Sequence, residues 1–126
     1  MQEKTDYSQE FLKLLLPQEL FHYFEIINLK IEDKTLEIYL DEKNIIPEEF
    51  LSEKLSSKGF HSEVVIQDFP IRDKKVFLHV RRRRWLVEST NKIVSRDWNT
   101  VAKGTRLTGE FAAFLKGLFG YLPNKF

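Results

Sequence analysis

One stretch constrains this chain more than any other. Residues 76–85 read Val-Phe-Leu-His-Val-Arg-Arg-Arg-Arg-Trp, an apolar run that passes without a break into four arginines and an indole. Alternation at period two puts Val76, Leu78 and Val80 on one face of a strand and Phe77, His79, Arg81, Arg83 and Trp85 on the other. Prolonged unchanged, the strand would bring Arg82 and Arg84 onto the face that buries valine and leucine, and a guanidinium cannot shed its charge to escape the cost of burial. The strand must therefore leave the core near Val80 and deliver its arginines to solvent or to an anion. A solvated strand end is the plain alternative. Four consecutive arginines fit it poorly, because lysine is the usual solubilising cation while the arginine fork matches phosphate.

The 126 residues suffice for one domain with a real core. Without cysteine there is neither a disulfide framework nor a thiolate metal site. Nothing in the chain resembles a signal peptide or a membrane span, so a cytoplasmic, reducing setting is expected. The formal net charge of +1 conceals an asymmetry: residues 1–67 hold 7 basic and 14 acidic side chains, residues 68–106 hold 11 and 4, and residues 107–126 hold 2 and 1. The basic segment points to a polyanion, and the acidic half to solubility or to masking of the basic face.

Along the chain, residues 1–7 read as a polar end, and Ser8 as the cap of a short helix with Phe11, Leu12, Leu15 and Leu16 at helical spacing. Pro17 opens a second short helix carrying Leu20, Phe21 and Phe24, with His22 as a surface residue. Ile27, Leu29 and Ile31, then Leu36, Ile38 and Leu40, alternate about a turn at Asp33 and Lys34 and predict a hairpin. Pro47 predicts a helix over 47–58, with Phe50, Leu51 and Leu55 facing inward and Gly59 ending it. A second hairpin is expected from residues 60–69 and 75–87, with Val64 and Ile66 on the face of Phe60 and opposite Val76, Leu78 and Val80. Residues 88–106 are the least regular and have room for one strand or a turn of helix. Thr108 caps a last helix with Phe111, Phe114, Leu115 and Leu118 on one stripe and Gly120 behind it. The expected fold is α+β: a small antiparallel sheet of two hairpins with helices packed on one face, plus a C-terminal helix. Residues 1–106 form the domain, with the basic strand at 75–87, and residues 107–126 the helix and tail.

Most chemistry finds no support. Nucleophilic hydrolysis lacks a cysteine and a Gly-x-Ser-x-Gly turn. His61 and His79 could meet across the second hairpin but make an incomplete ligand set, so no metal and no cofactor is expected. The five glycines are dispersed and form no phosphate loop. The carboxylate pairs Asp41-Glu42 and Glu48-Glu49 read as solvated loop and helix-start residues. No catalytic residue stands out, and an enzyme is disfavoured. In contrast, Arg72, Lys74, Lys75, Arg81, Arg82, Arg83, Arg84, Lys92, Arg96, Lys103 and Arg106 are interleaved with Phe77, Trp85 and Trp98, a mixture suited to phosphate contact and base stacking. Trp85 has an equally good alternative as a cap on the core at a strand end.

The run from Asp68 through Phe69, Pro70, Ile71 and Arg72 to Trp85, then Trp98, then Lys103-Gly104-Thr105-Arg106-Leu107-Thr108 leading into Phe111-Ala112-Ala113-Phe114-Leu115, resembles the N-terminal region of bacterial insertion-sequence transposases, supplied in such elements by a short upstream reading frame. In related transposases the basic strand leads into a cysteine zinc ribbon, a helix-turn-helix and an RNase H-like catalytic domain. This chain departs from that plan in having no cysteine after Trp85 and only one helix after Thr108, so zinc, a complete helix-turn-helix and catalysis do not carry over. The resemblance implies a non-catalytic fragment that recognises DNA at transposon ends or regulates transposition, with a downstream catalytic product as partner. The alternative function is a protein-interaction module in which the terminal helix and acidic half mediate homodimerisation or inhibition of the full transposase.

Overall fold

The computed structural model describes residues 7–104 and 108–120, with side chains from residue 10 onward. Among the described residues the fold is α+β, built from seven strands in two sheets and three α-helices. Helix α1 (Tyr7–Leu15) and a 3-10 turn (Gln18–His22) lead into β1 (Phe24–Ile31) and β2 (Thr35–Glu42). A second 3-10 turn (Glu48–Phe50) precedes β3 (Leu55–Phe60), β4 (Val64–Ile71), β5 (Lys74–Arg81), β6 (Arg83–Val87) and β7 (Lys92–Val94). Helices α2 (Trp98–Gly104) and α3 (Gly109–Phe119) close the described chain. None of the helices described is long and apolar enough to cross a membrane.

The larger sheet has the order β1-β2-β5-β4, with β1–β2 and β4–β5 antiparallel and β2 parallel to β5. The smaller sheet has the order β3-β6-β7, antiparallel throughout. One antiparallel sheet was expected. The difference arises because β3–β4 and β5–β6 form a single long hairpin that bends: its outer half pairs with β2, and its inner half forms a sheet with β7. Both arms break at the same place, and His61 N–H spans the break to the carbonyl of Arg82 at 2.8 Å.

That break resolves the burial conflict posed by the arginines. In β5 the even positions Val76, Leu78 and Val80 face the core at 2 % exposure or less, whereas in β6 the odd positions Trp85 and Val87 are buried. Arg82, outside both strands, absorbs the change of phase, so an indole rather than a guanidinium turns inward beyond it. On one face of the larger sheet, Leu36, Ile38, Leu40, Ile66, Val76, Leu78 and Val80 pack against Leu12, Leu16 and Leu20, Trp98 and Val101 of α2, and Phe111, Phe114, Leu115 and Leu118 of α3. Helix α3 contributes four buried side chains to this core.

Several local expectations change. Residues 47–58 form no helix beyond the 3-10 turn; Leu51 is 69 % exposed, and Gly59, at φ 76, lies in an irregularity of β3 instead of behind a helix. Phe24 opens β1, and a bulge between Ile26 and Asn28 turns Ile27 outward. Ile31, at the far end of β1, is exposed as well. Ser8 falls within α1 with its side chain outside the described set. The last helix keeps its expected bounds: Thr108 Oγ1 accepts from Phe111 N–H at 3.2 Å, and Gly120 adopts φ 80 behind it.

Candidate nucleic-acid interface

The sequence-selected cations fall into two groups, separated by the length of β5, roughly 23 Å at strand rise. At one end Arg72 occupies the β4–β5 turn at φ 59, Lys75 is exposed, and Lys74 Nζ donates to the carbonyls of Glu32 and Asp33 at 2.5 and 2.8 Å. At the other end the sheet junction gathers Arg81, Arg82, Arg83, Arg84 and, from the β7–α2 link, Arg96. Lys92 and Lys103 are exposed on β7 and at the end of α2, and Arg106 lies outside the described residues.

The junction sorts its guanidiniums by partner. Asp41 stands directly opposite Arg81 in the parallel register and accepts two bonds from it, Nε to Oδ1 at 2.7 Å and Nη2 to Oδ2 at 2.6 Å, which holds the guanidinium pKa above its usual value. Glu42, with no exposure, accepts from Arg83 N–H at 2.9 Å on one oxygen and from Arg96 Nε at 2.8 Å on the other. Burial pushes the Glu42 carboxyl up, against the opposing pull of those donors. Arg96 is itself only 8 % exposed, donates to the Ile45 carbonyl, and lies over the rings of Tyr23 and Trp85. Asp41 and Glu42 were expected in solvent; they are instead the internal counter-ions of the junction.

Arg82, Arg83 and Arg84 have no carboxylate within ion-pair distance among the described residues. Arg83 donates to the Glu42 main-chain carbonyl and the Ser57 hydroxyl, and Arg84 to the Lys58 carbonyl at 3.2 and 3.4 Å. Arg82 lies over the Phe119 ring, with its buried Nε lacking a partner. Neutral acceptors fix Arg83 and Arg84, and an aromatic ring lies under Arg82, without cancelling their charge. Two of the five guanidiniums at this corner thus pair with carboxylates and three have none within ion-pair distance among the described residues, while Glu63 acts on Arg81 and Glu42 on Arg82 from further off. His61 reports the resulting field. Burial lowers its pKa first, and the charges of Arg82 and Arg84 lower it further.

No family model matches this chain, and no curated protein or solved structure matches it either.

Two aromatic candidates leave the interface. Trp85 is fully buried with Nε1 donating to Asn44 Oδ1 at 2.9 Å, and Trp98 is 5 % exposed, stacked on Phe24 with ring centres 5.5 Å apart. Neither can receive a base; Trp85 is buried on β6 of the smaller sheet, outside the main core cluster. Arg96 leaves as a direct contact for the same reason, and Arg81 is committed to Asp41. His61 and His79 do not meet: His61 Nε2 bonds Ser95 Oγ at 2.6 Å, whereas His79 lies between two glutamates. No group of three or more metal-ligating side chains occurs among the described residues. An apolar cavity of about 510 Å³ between α1, α3 and the β4 edge holds no catalytic constellation. Sequence reasoning missed His61, Asp41 and Glu42. The odd spacing from Val80 to Trp85 was the available signal, because one strand cannot bury both residues and the chain must break between them.

Proposed function

We propose that this chain is the non-catalytic, DNA-binding N-terminal region of a bacterial transposase, acting in the cytoplasm on transposon ends while a downstream product cuts and joins. The observation that carries the reading is that Arg82, Arg83 and Arg84 meet at the sheet corner with no carboxylate within ion-pair distance among the described residues. Neutral acceptors hold Arg83 and Arg84, and the Phe119 ring lies under Arg82, so a phosphate gains charge-assisted bonds at a reduced ordering cost. Contacts of this kind position a protein on duplex DNA without reading bases, and the burial of both tryptophans leaves no indole for stacking. Arg72, Lys74 and Lys75, at the far end of β5, would touch a separate part of a long duplex. The interaction-module alternative rests on the last helix together with the acidic half, and the helix's apolar stripe packs inside the chain's own core.

The test is an Arg82→Gln/Arg84→Gln double variant titrated with a labelled duplex carrying the transposon end. We expect at least a tenfold loss of affinity with the melting temperature unchanged within about 2 °C. Unchanged affinity overturns the proposal.

A further inference from the structure

The bare face of the larger sheet carries a cluster that DNA binding does not use. His79, on β5, lies between Glu63 and Glu37, with Nδ1 2.8 Å from Glu63 Oε1 and Nε2 2.8 Å from Glu37 Oε1. An ionised carboxylate only accepts hydrogen bonds, so both ring nitrogens must donate and the ring must be the imidazolium cation. The ring also stacks on Tyr39 of β2, centroids 4.3 Å apart and planes 14° off parallel, which fixes its orientation.

The two carboxylates differ in what else restrains them. Glu37 belongs to β2, is 21 % exposed and also receives a bond from Thr35. Glu63 belongs to the three-residue link between β3 and β4, is 41 % exposed, and has His79 as its one described hydrogen-bond partner. That link is the one whose His61 spans the sheet break to Arg82, and Glu63 already acts electrostatically on Arg81. The remaining neighbours are Lys30 of β1, opposite Glu37; Asn28 of β1, opposite Tyr39; Val65 of β4, opposite His79; and Arg81, two residues along β5 and held by Asp41.

We propose that His79 is a proton-operated clamp that holds Glu63 away from the arginine junction, so that DNA affinity falls when the imidazole loses its proton. Neutral imidazole presents a lone pair to one of its two carboxylates. The contact turns repulsive, and the less restrained Glu63 leaves. The corner then loses one positive charge and gains a mobile carboxylate beside its arginines. Burial alone would lower the imidazole pKa, but the bonds and charges of Glu63 and Glu37 outweigh it and raise the value above that of a free imidazole. The clamp therefore stays closed to a higher pH than a free imidazole would allow and opens on the alkaline side of that. This inference rests on the proposed binding at the junction.

The experiment measures anisotropy of a labelled 20-base-pair duplex of arbitrary sequence with the full chain at pH 6 and pH 9, at fixed ionic strength. One charge acting across a screened surface predicts about a two- to fivefold weaker complex at the higher pH. His79→Gln should bind with the weaker affinity at both values. Glu63→Gln, which has no carboxylate to release, should bind more tightly than the unaltered chain at pH 9. Imidazole NMR of the free chain should show a His79 midpoint above the ordinary value, falling in Glu63→Gln. Equal affinity of the unaltered chain at both pH values overturns the clamp and leaves the DNA reading standing. Absence of binding at both overturns the two together.

Discussion

The two sheets are held together by different physics. The four-stranded sheet buries aliphatic and aromatic side chains under three helices, so its stability comes from removing apolar surface from water. Among the described residues, no helix packs a comparable apolar cluster on the three-stranded sheet. It closes on Trp85 and Val87, on the indole bond to Asn44 and on the buried Glu42–Arg96 pair. Residues of one type thus meet different surroundings: Arg81 and Arg96 pair with carboxylates, while Arg82 and Arg84 have none within ion-pair distance among the described residues. Counting basic residues in a sequence cannot separate the two surroundings. Partners can.

The comparison breaks most sharply at the cores of the two sheets. Leu78→Ala should cost about 2–5 kcal/mol, and Glu42→Gln about 3–5 kcal/mol, since it leaves the Arg96 guanidinium buried without a counter-ion. Chemical denaturation should show both, and only the second should be partly recovered by also replacing Arg96 with Met, because removing both charges relieves the desolvation. A failure of Arg96→Met to rescue would place the stability of the smaller sheet elsewhere. Thr108→Ala, which removes the cap of α3, should cost about 1 kcal/mol and lower the melting temperature by several degrees.

The smallest expected effect is the pH dependence from His79. Its folded pKa is raised, so its contribution to stability is complete below the unfolded value near 6.5 and fades as pH rises through the folded value. Because the lowered pKa of His61 makes stability rise over the same range, denaturant midpoints of the unaltered chain should fall relative to those of His79→Gln as pH rises from 6.

Local signals were legible in the sequence and long-range ones were not. Thr108 and Gly120 marked the ends of α3 because a cap and a left-handed residue act within one turn. Val76, Leu78 and Val80 revealed their buried face and their pairing with the strand of Val64 and Ile66, because alternation is local to a hairpin, whereas Phe60, expected on that face, pairs with Arg83 in the smaller sheet. The parallel pairing of β2 with β5 joins residues about 40 apart and leaves no periodic trace. β3, spelled Leu-Ser-Ser-Lys-Gly-Phe, carries almost no apolar pattern, and the preceding Pro-Glu-Glu favours a helix start, so the helical reading won. Asp41 and Glu42 looked solvated because carboxylates usually are; they are buried because two arginines far along the chain meet them there.

The central claim is that the junction presents about three uncancelled guanidiniums to phosphate. Its most direct test is the salt dependence of duplex affinity for the unaltered chain and for Arg82→Gln/Arg84→Gln. Three phosphate contacts predict a slope of log affinity against log salt of about −3, reduced to about −1 in the variant. Equal slopes in the two proteins would contradict it.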